Sequence, residues 1–217
     1  MQVATLARTG KRVVMPDSAY LELLDWRRRV SELFAALRQR EPTADTLRWF
    51  RAQKDTLLRD HPQSPIPPDD RASFPGLPYW PFDPQARVTA HFSEQAEEPP
   101  PAAAEVAFRR IGRLDFSYQG QPLSLPAFWI EGYAGGLFVP FKDGTSGHEA
   151  YGGGRYLLDT IKSADLGSDA RSDTVVLDFN YAYHPSCTYD PRWVCPLAPP
   201  DSRLAIPIRA GERLGPP

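Results

Sequence analysis

The chain has 217 residues, a length that suits one domain, or one domain with an N-terminal appendage, around a substantial core. Its 25 basic and 27 acidic residues give a net charge of −2, so there is no electrostatic reason to expect nucleic acid or an anionic membrane as a partner. The 24 prolines are about twice the usual share of about one residue in twenty, which predicts many loops and turns. No apolar signal segment and no run of about 18 apolar residues occurs, so we expect a cytoplasmic protein.

Two helical segments come first in the chain. Residues 1–16 have no hydrophobic periodicity and are expected to form a flexible tail. From Asp17, apolar residues recur at helical spacing as far as about Arg40, which predicts an amphipathic helix. A second helix is predicted to follow the start signal Pro42-Thr43 and to end before the proline-rich stretch DHPQSPIPPDD, because proline removes a backbone donor. Together the two segments predict a helical hairpin.

After Pro68 the sequence changes to short alternating runs bounded by Gly, Pro, Asp and Asn, which is typical of an antiparallel β-structure. The clearest pattern predicts a β-hairpin with its turn at Gln119-Gly120, and Pro122 and Pro126 predict that its returning strand lies at an edge. The acidic, proline-rich residues 94–105 are expected to form a flexible loop. Further strands are predicted at residues 88–92, 136–141, 154–161, 174–179 and 203–208.

These elements predict a β-rich α+β fold. The helical hairpin, residues 17–62, is expected to pack on an antiparallel β-sandwich or half-open β-barrel formed by residues 63–217.

Alternation along the predicted strands places polar side chains on shared faces. Asp178 and Asn180 lie opposite Val175 and Leu177, and the two apolar residues are expected to face the core. In a half-open barrel, the first two side chains and Arg155 would line a polar pocket, in which the guanidinium could hold a carboxylate in bidentate fashion. The alternative is a structural Arg–Asp ion pair.

The glycine-rich stretch AYGGGRY, residues 150–156, has neither the glycine order of a P-loop nor that of a dinucleotide-binding turn, and no helix follows it. We expect its glycines to let the backbone bend sharply, or to approach a ligand closely, just before a strand. The chain also lacks the Gly-x-Ser-x-Gly elbow of serine hydrolases. No cofactor is predicted from these patterns.

His184, Cys187 and Cys195 form a His-x2-Cys-x7-Cys series, whose nitrogen and sulfur ligands would suit a zinc ion with an open fourth position. The spacing differs from the Cys-x2-Cys of common zinc sites, so zinc is the less favoured interpretation. A reducing cytosol disfavours a disulfide, and a reactive thiol would need an adjacent cation that the sequence does not establish. We expect both cysteines to be packed thiols in a proline-stiffened loop.

Three long blocks of the chain carry a family resemblance: FRAQKDTLLRDHPQSPIPPDDRASFPGLPYWPFDP, GLFVPFKDGTSGHEAYGGGRYLLD and LDFNYAYHPSCTYDPRWVCPLAPPDSRLAIPIRAGE. Over roughly residues 47–213 the chain resembles the domain-of-unknown-function family 1684 of bacteria and archaea. That family has no settled activity, so the resemblance implies no reaction. The position of His184 is more often asparagine in the family, which argues against a zinc site that needs this histidine. Positions typical of the family include Lys54, Asp55, His61, Asp143, Tyr151, Arg155, Tyr156, Asp178, Asn180, Tyr183, Cys187, Cys195 and Glu212.

The first functional hypothesis is an enzyme that acts on a small polar or carboxylate-bearing metabolite in a pocket of the β-domain. Arg155 would orient the substrate, and Asp178 or Glu212 would act as general acid or base. Hydrogen bonds to the substrate would come from Asn180, Tyr151 and Tyr183. The alternatives are a non-catalytic small-molecule-binding or accessory protein and, third, a zinc-dependent hydrolase. The sequence does not determine the oligomeric state.

Overall fold

The structure is a computed structural model, which describes residues 17–98, 107–132 and 135–215. Its helices are α1 (Asp17–Arg38), α2 (Ala44–Asp60) and the single turn α3 (Pro68–Arg71). Helix α2 begins at Thr43, whose side chain accepts a hydrogen bond of 3.2 Å from the backbone N–H of Thr46 and so caps the helix. Among the described residues, no helix is long and apolar enough to cross a membrane. The predicted tail at residues 1–16 lies outside the described residues.

Seven antiparallel strands form one sheet, which curves into a half-barrel. The predicted β-rich α+β class is therefore confirmed, in its half-open form. The strands lie in the order β5-β4-β3-β2-β1-β7-β6 across the sheet. Their bounds are β1 (Arg87–Glu98), β2 (Phe108–Tyr118), β3 (Gln121–Ile130), β4 (Gly136–Phe141), β5 (Arg155–Asp159), β6 (Ser168–Asp169) and β7 (Thr174–Asp178).

The predicted hairpin is the β2–β3 pair. Its two turn residues, Gln119 and Gly120, both have positive φ, at 51° and 75°, as a two-residue hairpin turn requires. The prediction that β3 lies at an edge is wrong, since β3 has a neighbour on each side. However, β4 pairs only with Phe128–Ile130 of β3. Pro122 and Pro126 lie in the part of β3 that extends beyond β4, so their missing backbone N–H groups interrupt no hydrogen bond between β3 and β4.

Two other expectations differ from the structure. Residues 203–208 do not form a strand: Arg203 makes a single bridge to Lys142, and the segment then continues in irregular extended conformation through Pro207. The loop expected at residues 94–105 is wrong for its first part, because β1 continues to Glu98, and the rest of that prediction lies outside the described residues.

Two of the apolar clusters position the candidate site. The concave face of the sheet is filled by apolar side chains that include Leu114, Leu125 and the predicted core residues Val175 and Leu177. The hairpin of α1 and α2 packs on one end of the half-barrel through a second cluster, whose members include Phe34, Phe50 and Tyr181. This packing places the inner faces of both helices above the segment that follows β7, where the candidate site lies.

Candidate functional site

A buried carboxylate, Glu212, lies at the centre of the candidate site, with its side chain only 1% exposed. Its Oε1 atom pairs with the Lys54 ammonium group from α2. Its Oε2 atom accepts bonds of 2.7 Å from the backbone N–H of His184 and 2.8 Å from the hydroxyl of Tyr189. Burial opposes ionisation, but Lys54 and the His184 N–H outweigh it and lower the pKa of Glu212. Glu212 is therefore an anion that holds donors in place more readily than it takes up a proton.

The backbone at Gly211 aims Glu212 at these partners. Gly211 has a φ of +82°, and a Cβ atom there would lie 2.5 Å from the carbonyl oxygen of Ala182 and 2.6 Å from that of Phe179. The next N–H, that of Glu212, donates to the same Ala182 carbonyl at 2.9 Å. Only glycine fits this close approach, so the Gly-Glu pair fixes the position of the carboxylate.

His184 is buried beside the carboxylate in its neutral form. Its Nε2 atom accepts a hydrogen bond of 3.2 Å from the backbone N–H of Tyr151, so the ring proton resides on Nδ1, which lies 3.7 Å from Glu212 Oε2. Burial lowers the pKa of His184 to about 4; Glu212 opposes the shift, and the charges of Arg155 and Lys54 add to it. His184 is thus a neutral side chain near neutral pH.

Two lysine ammonium groups lie beside the ring of Tyr183. The Nζ atom of Lys54 is 4.8 Å from the ring centroid and that of Lys162 is 6.0 Å from it. Lys162 pairs at 3.1 Å with Asp159, which also accepts a 3.2 Å bond from the Tyr183 hydroxyl. Each cation therefore has a buried acidic partner on one side and the face of an aromatic ring on the other.

A partly open cavity of about 100 Å³, here called the helix cavity, lies between α1, α2 and these polar groups. Its apolar wall includes Trp26, Val30 and Phe34 of α1 together with Leu58 of α2. Lys54, Lys162, Tyr183, His184, Ser186 and Tyr189 form the polar wall. The cavity thus combines a hydrophobic surface with converging charged and hydroxyl groups, which is the usual composition of a small-molecule site.

Arg155 is fully buried behind the helix cavity and does not line it. Its guanidinium pairs with the equally buried Asp143 at 3.2 Å and donates to the backbone carbonyls of Ile208, Ala210 and Glu212. Burial lowers the pKa of Arg155 to about 10, with Asp143 opposing the shift, so the group stays cationic at neutral pH. In the structure Arg155 contacts Asp143 and the chain around Glu212 and does not pair with Asp178, so its role in orienting a substrate stays a prediction.

Asp178 and Asn180 belong to a separate cluster, which does not include Arg155. The Asp178 carboxylate accepts bonds from the N–H and amide of Asn180 at 3.0 and 2.9 Å, and it pairs with Arg87 at 3.4 Å. The Asn180 amide also exchanges hydrogen bonds of 2.9 and 2.8 Å with the backbone of Asp83. Burial raises the pKa of Asp178, partly offset by Asn180 and Arg87. These contacts fix the turn after β7.

The sulfur atoms lie at the outer side of the site. Cys187 and Cys195 are half-buried free thiols, and the Tyr151 hydroxyl lies 3.9 Å from the Cys187 sulfur. Burial, followed by Cys195, raises the pKa of the Cys187 thiol, which makes it a weak nucleophile at neutral pH. Within the described ranges, no group of three or more His, Cys, Asp or Glu side chains is arranged to hold a metal ion, and the ring of His184 faces Tyr151 and Glu212.

A larger groove, of about 680 Å³, lies between the outer faces of α1 and α2. Its walls include exposed side chains such as Leu21 and Glu32, and Asp25 within it pairs with Arg29 at 2.7 Å. His184, whose pKa is lowered by burial, lines the helix cavity, and the buried Glu212 pairs with Lys54 at its wall. Such groups are typical of functional sites, so we regard the helix cavity as the candidate site.

Several residues of the site were not predicted as ligand contacts: Lys54, Lys162, Tyr189 and the apolar side chains of α1. One signal could have found the two lysines, because the chain has only four of them, Lys11, Lys54, Lys142 and Lys162, among 25 basic residues. Because lysine is rare in this arginine-rich sequence, each lysine is a candidate for a role that arginine cannot take. No local pattern indicates Tyr189.

The fold and the site define a half-barrel protein in which a helical hairpin lines a small cavity beside a buried ionic cluster. The family model "Protein of unknown function (DUF1684)" matches residues 72–213, and the chain belongs to this family. It is also similar to an uncharacterized protein from gene locus rrnAC0354 of Haloarcula marismortui, whose solution NMR structure matches with 36% identity and a TM-score of 0.55, covering 78% of this chain and 93% of that one. No curated protein matches the chain.

Proposed function

We propose that this protein binds a small carboxylate-bearing molecule in the helix cavity, with Lys54 and Lys162 as the anchoring cations. The observation that carries the proposal is the pair of ammonium groups within 6.0 Å of the Tyr183 ring, at the wall of an otherwise largely apolar cavity. Charge-assisted hydrogen bonds are roughly twice as strong as neutral ones, and a wall of low polarity strengthens them further.

The surrounding groups support binding by holding the cations in position. Glu212 pairs with Lys54 and Asp159 pairs with Lys162, and neither carboxylate lines the helix cavity. A lysine ammonium has three donors, so each keeps capacity for a ligand after it has paired with its carboxylate. Arg155 supports the arrangement indirectly, because it holds the carbonyl oxygens of Ala210 and Glu212.

Catalysis on the bound molecule is the second candidate, and a pair of shifted carboxyl groups favours it. Burial raises the pKa of Asp55, and the charge of Glu212 adds to that shift, whereas the pKa of Glu212 is lowered. Environments that push two carboxyl pKa values apart are common where one group donates and another accepts a proton. In this reading Asp55 is the proton donor beside Lys54.

A ligand-retention experiment tests the proposal. Gently purified protein is denatured, and the released small molecules and metals are measured by mass spectrometry, in parallel for wild type, Lys54→Gln and Lys162→Gln. We expect a carboxylic acid to be released from wild type and its amount to fall at least about tenfold in both variants, as for the loss of one charge-assisted bond. The same extract, returned to fresh enzyme and followed by NMR, would show turnover if the protein is catalytic.

The matched control is Lys142→Gln, because Lys142 does not line the helix cavity. This variant should release the same acid in the same amount as wild type. Urea unfolding of every variant establishes that the fold is intact, and Lys162→Gln is the safer of the two because the Lys162 side chain is 45% exposed. Release of a metal or of a neutral molecule in place of an acid would contradict the proposal.

A further inference from the structure

We infer that the ligand of the helix cavity is a short-chain monocarboxylate, whose hydrocarbon part lies against α1 and whose carboxylate lies at the lysines. This inference rests on the proposed function and narrows it from carboxylate-bearing molecules in general to one chemical class. It is carried by the separation of the two cavity walls. Trp26, Val30 and Phe34 of α1 line the cavity with apolar surface, and the two lysines supply its cationic groups.

The Tyr183, His184 and Tyr189 side chains of the polar wall are already engaged with the protein. Tyr189 donates its hydroxyl proton to Glu212 at 2.8 Å, and Tyr183 donates to Asp159 at 3.2 Å. The Nε2 atom of His184 accepts from the Tyr151 N–H, and its Nδ1 atom faces Glu212. The remaining donors in this wall are the two ammonium groups and the Ser186 hydroxyl, and the charge is carried by the ammonium groups, which suits a ligand with one anionic group.

The apolar wall disfavours a second polar group on the ligand. The Val30 and Phe34 side chains offer no hydrogen-bond partner, and the indole of Trp26 has only its N–H. A hydroxyl or second carboxylate pressed against this wall would lose its hydration without a replacement bond. A dicarboxylate should therefore bind at least about tenfold more weakly than a monocarboxylate of the same length.

The size of the helix cavity limits the length of the hydrocarbon part. Its volume of about 100 Å³ leaves room for only a few groups the size of a water molecule. A methylene group is about as large as a water molecule, so we expect a chain of about three to five carbons, counting the carboxylate. Each methylene that the cavity accepts should tighten binding about fourfold. Longer chains should gain little affinity, since their ends extend out of the helix cavity.

The test is calorimetric titration of the full chain with sodium acetate, propionate, butyrate, hexanoate and succinate. Affinity should rise about fourfold per methylene from acetate to butyrate and then level off, and succinate should bind at least about tenfold more weakly than butyrate. Succinate binding as tightly as butyrate would overturn this inference and leave the proposed function standing. If none of the five acids binds, this inference fails, and the proposed function fails with it only if the ligand-retention experiment also releases no carboxylic acid.

A variant of α1 tests where the hydrocarbon part lies. Val30→Thr keeps the shape of the side chain but puts a hydroxyl in the apolar wall, so it should weaken butyrate several-fold and leave acetate almost unchanged. Leu24→Thr is the matched control on the same helix, because Leu24 is 60% exposed and does not line the helix cavity. Equal butyrate affinity in wild type and Val30→Thr, with both cooperatively folded, would place the hydrocarbon part elsewhere and overturn the inference.

Discussion

At the scale of single residues, Arg155 shows how a buried charge can organise a site without contacting a ligand. Its guanidinium is fully buried, and its partners are one carboxylate and three backbone carbonyls of the segment that carries Glu212. Removing one partner of such a pair leaves the other charge buried and uncompensated, which costs more than the pair itself contributes. The stability of the site therefore depends on Arg155 and Asp143 together.

Arg155→Met is expected to lower the free energy of unfolding by about 3 to 5 kcal/mol, because it leaves the Asp143 carboxylate buried without its cation. The double variant Arg155→Met, Asp143→Asn removes both charges and should recover at least about 1 kcal/mol of that loss. Urea unfolding of wild type, both single variants and the double variant gives the interaction energy. Additive effects of the two substitutions would mean that the pair is not coupled.

The sequence predicted that Arg155 matters but not what it contacts. Strand alternation gives the face on which a side chain lies, and it cannot give the partner that a bent sheet brings to that face. Asp178 therefore looked like the natural partner of Arg155, whereas the structure pairs it with Arg87 of the adjacent strand. Asp143, the actual partner, follows β4 in an irregular turn, where periodicity carries no information.

At the scale of elements, the irregular segment at residues 202–214 takes the role that a strand was predicted to have. It is fixed by scattered contacts, which include the backbone bonds of Lys142 with Ser202 and Leu204 and the buried Arg155. The hairpin of β2 and β3 was predictable because its alternation and its turn are local. The course of residues 202–214 was not, because its partners lie far away in sequence.

Gly211→Ala should disrupt this segment and, with it, the position of Glu212. The new Cβ atom would meet two carbonyl oxygens at 2.5 and 2.6 Å, at a φ of +82°. Gly120→Ala is the matched control, because Gly120 has a φ of +75° but has no atom within 4 Å of a new Cβ. The Gly120→Ala variant should lose about 1 to 2 kcal/mol of unfolding free energy, because of backbone strain alone.

Gly211→Ala should cost at least about 2 kcal/mol more than Gly120→Ala, because the steric collision adds to the strain. Thermal and urea unfolding measure both values under the same conditions. Similar losses of unfolding free energy in the two variants would show that the segment after Pro207 deforms at little cost. Gly211 would then not fix the position of the Glu212 carboxylate.

At the scale of the whole molecule, the buried His184 makes the stability of the fold depend on pH. The folded protein keeps this ring neutral down to about pH 4, whereas in the unfolded chain it has its ordinary pKa of 6.5. Between these values the unfolded state binds the additional proton, so stability falls as the pH falls. His184 should lower the free energy of unfolding by about 3 kcal/mol between pH 7 and pH 4.

His184→Gln should remove most of this dependence, since glutamine can accept the Tyr151 N–H bond but does not titrate. The loss of unfolding free energy from pH 7 to pH 4.5 should be at least about 2 kcal/mol smaller in the variant than in wild type. Buried Asp178 acts in the opposite direction in the acid part of the range, because its pKa is raised, but it does so equally in both proteins. Parallel pH profiles would contradict a neutral buried His184.

The overall class of the fold followed from the sequence, because two helical periods and then alternating strands specify a small set of arrangements. The candidate site did not follow, because its parts come from distant regions. Lys54 and Glu212 are separated by 158 residues, and neither lies in a motif with a known spacing. The apolar wall on α1 could not be recognised either, since a helix face looks the same whether it covers a core or a cavity.

The separation of Lys54 and Glu212 in the sequence also affects the order in which contacts form during folding. Strands β1 to β5 pair with their neighbours in the chain, so their hairpins can form early, whereas β7 must return to β1, and Arg87 and Asp178 are 91 residues apart. Contacts that close long loops form late in folding, because their entropic cost is recovered only once other contacts exist. A chain with its sheet already paired but residues 202–214 still undocked would have no ionic cluster, so the ligand binding that we propose would report the last step of folding.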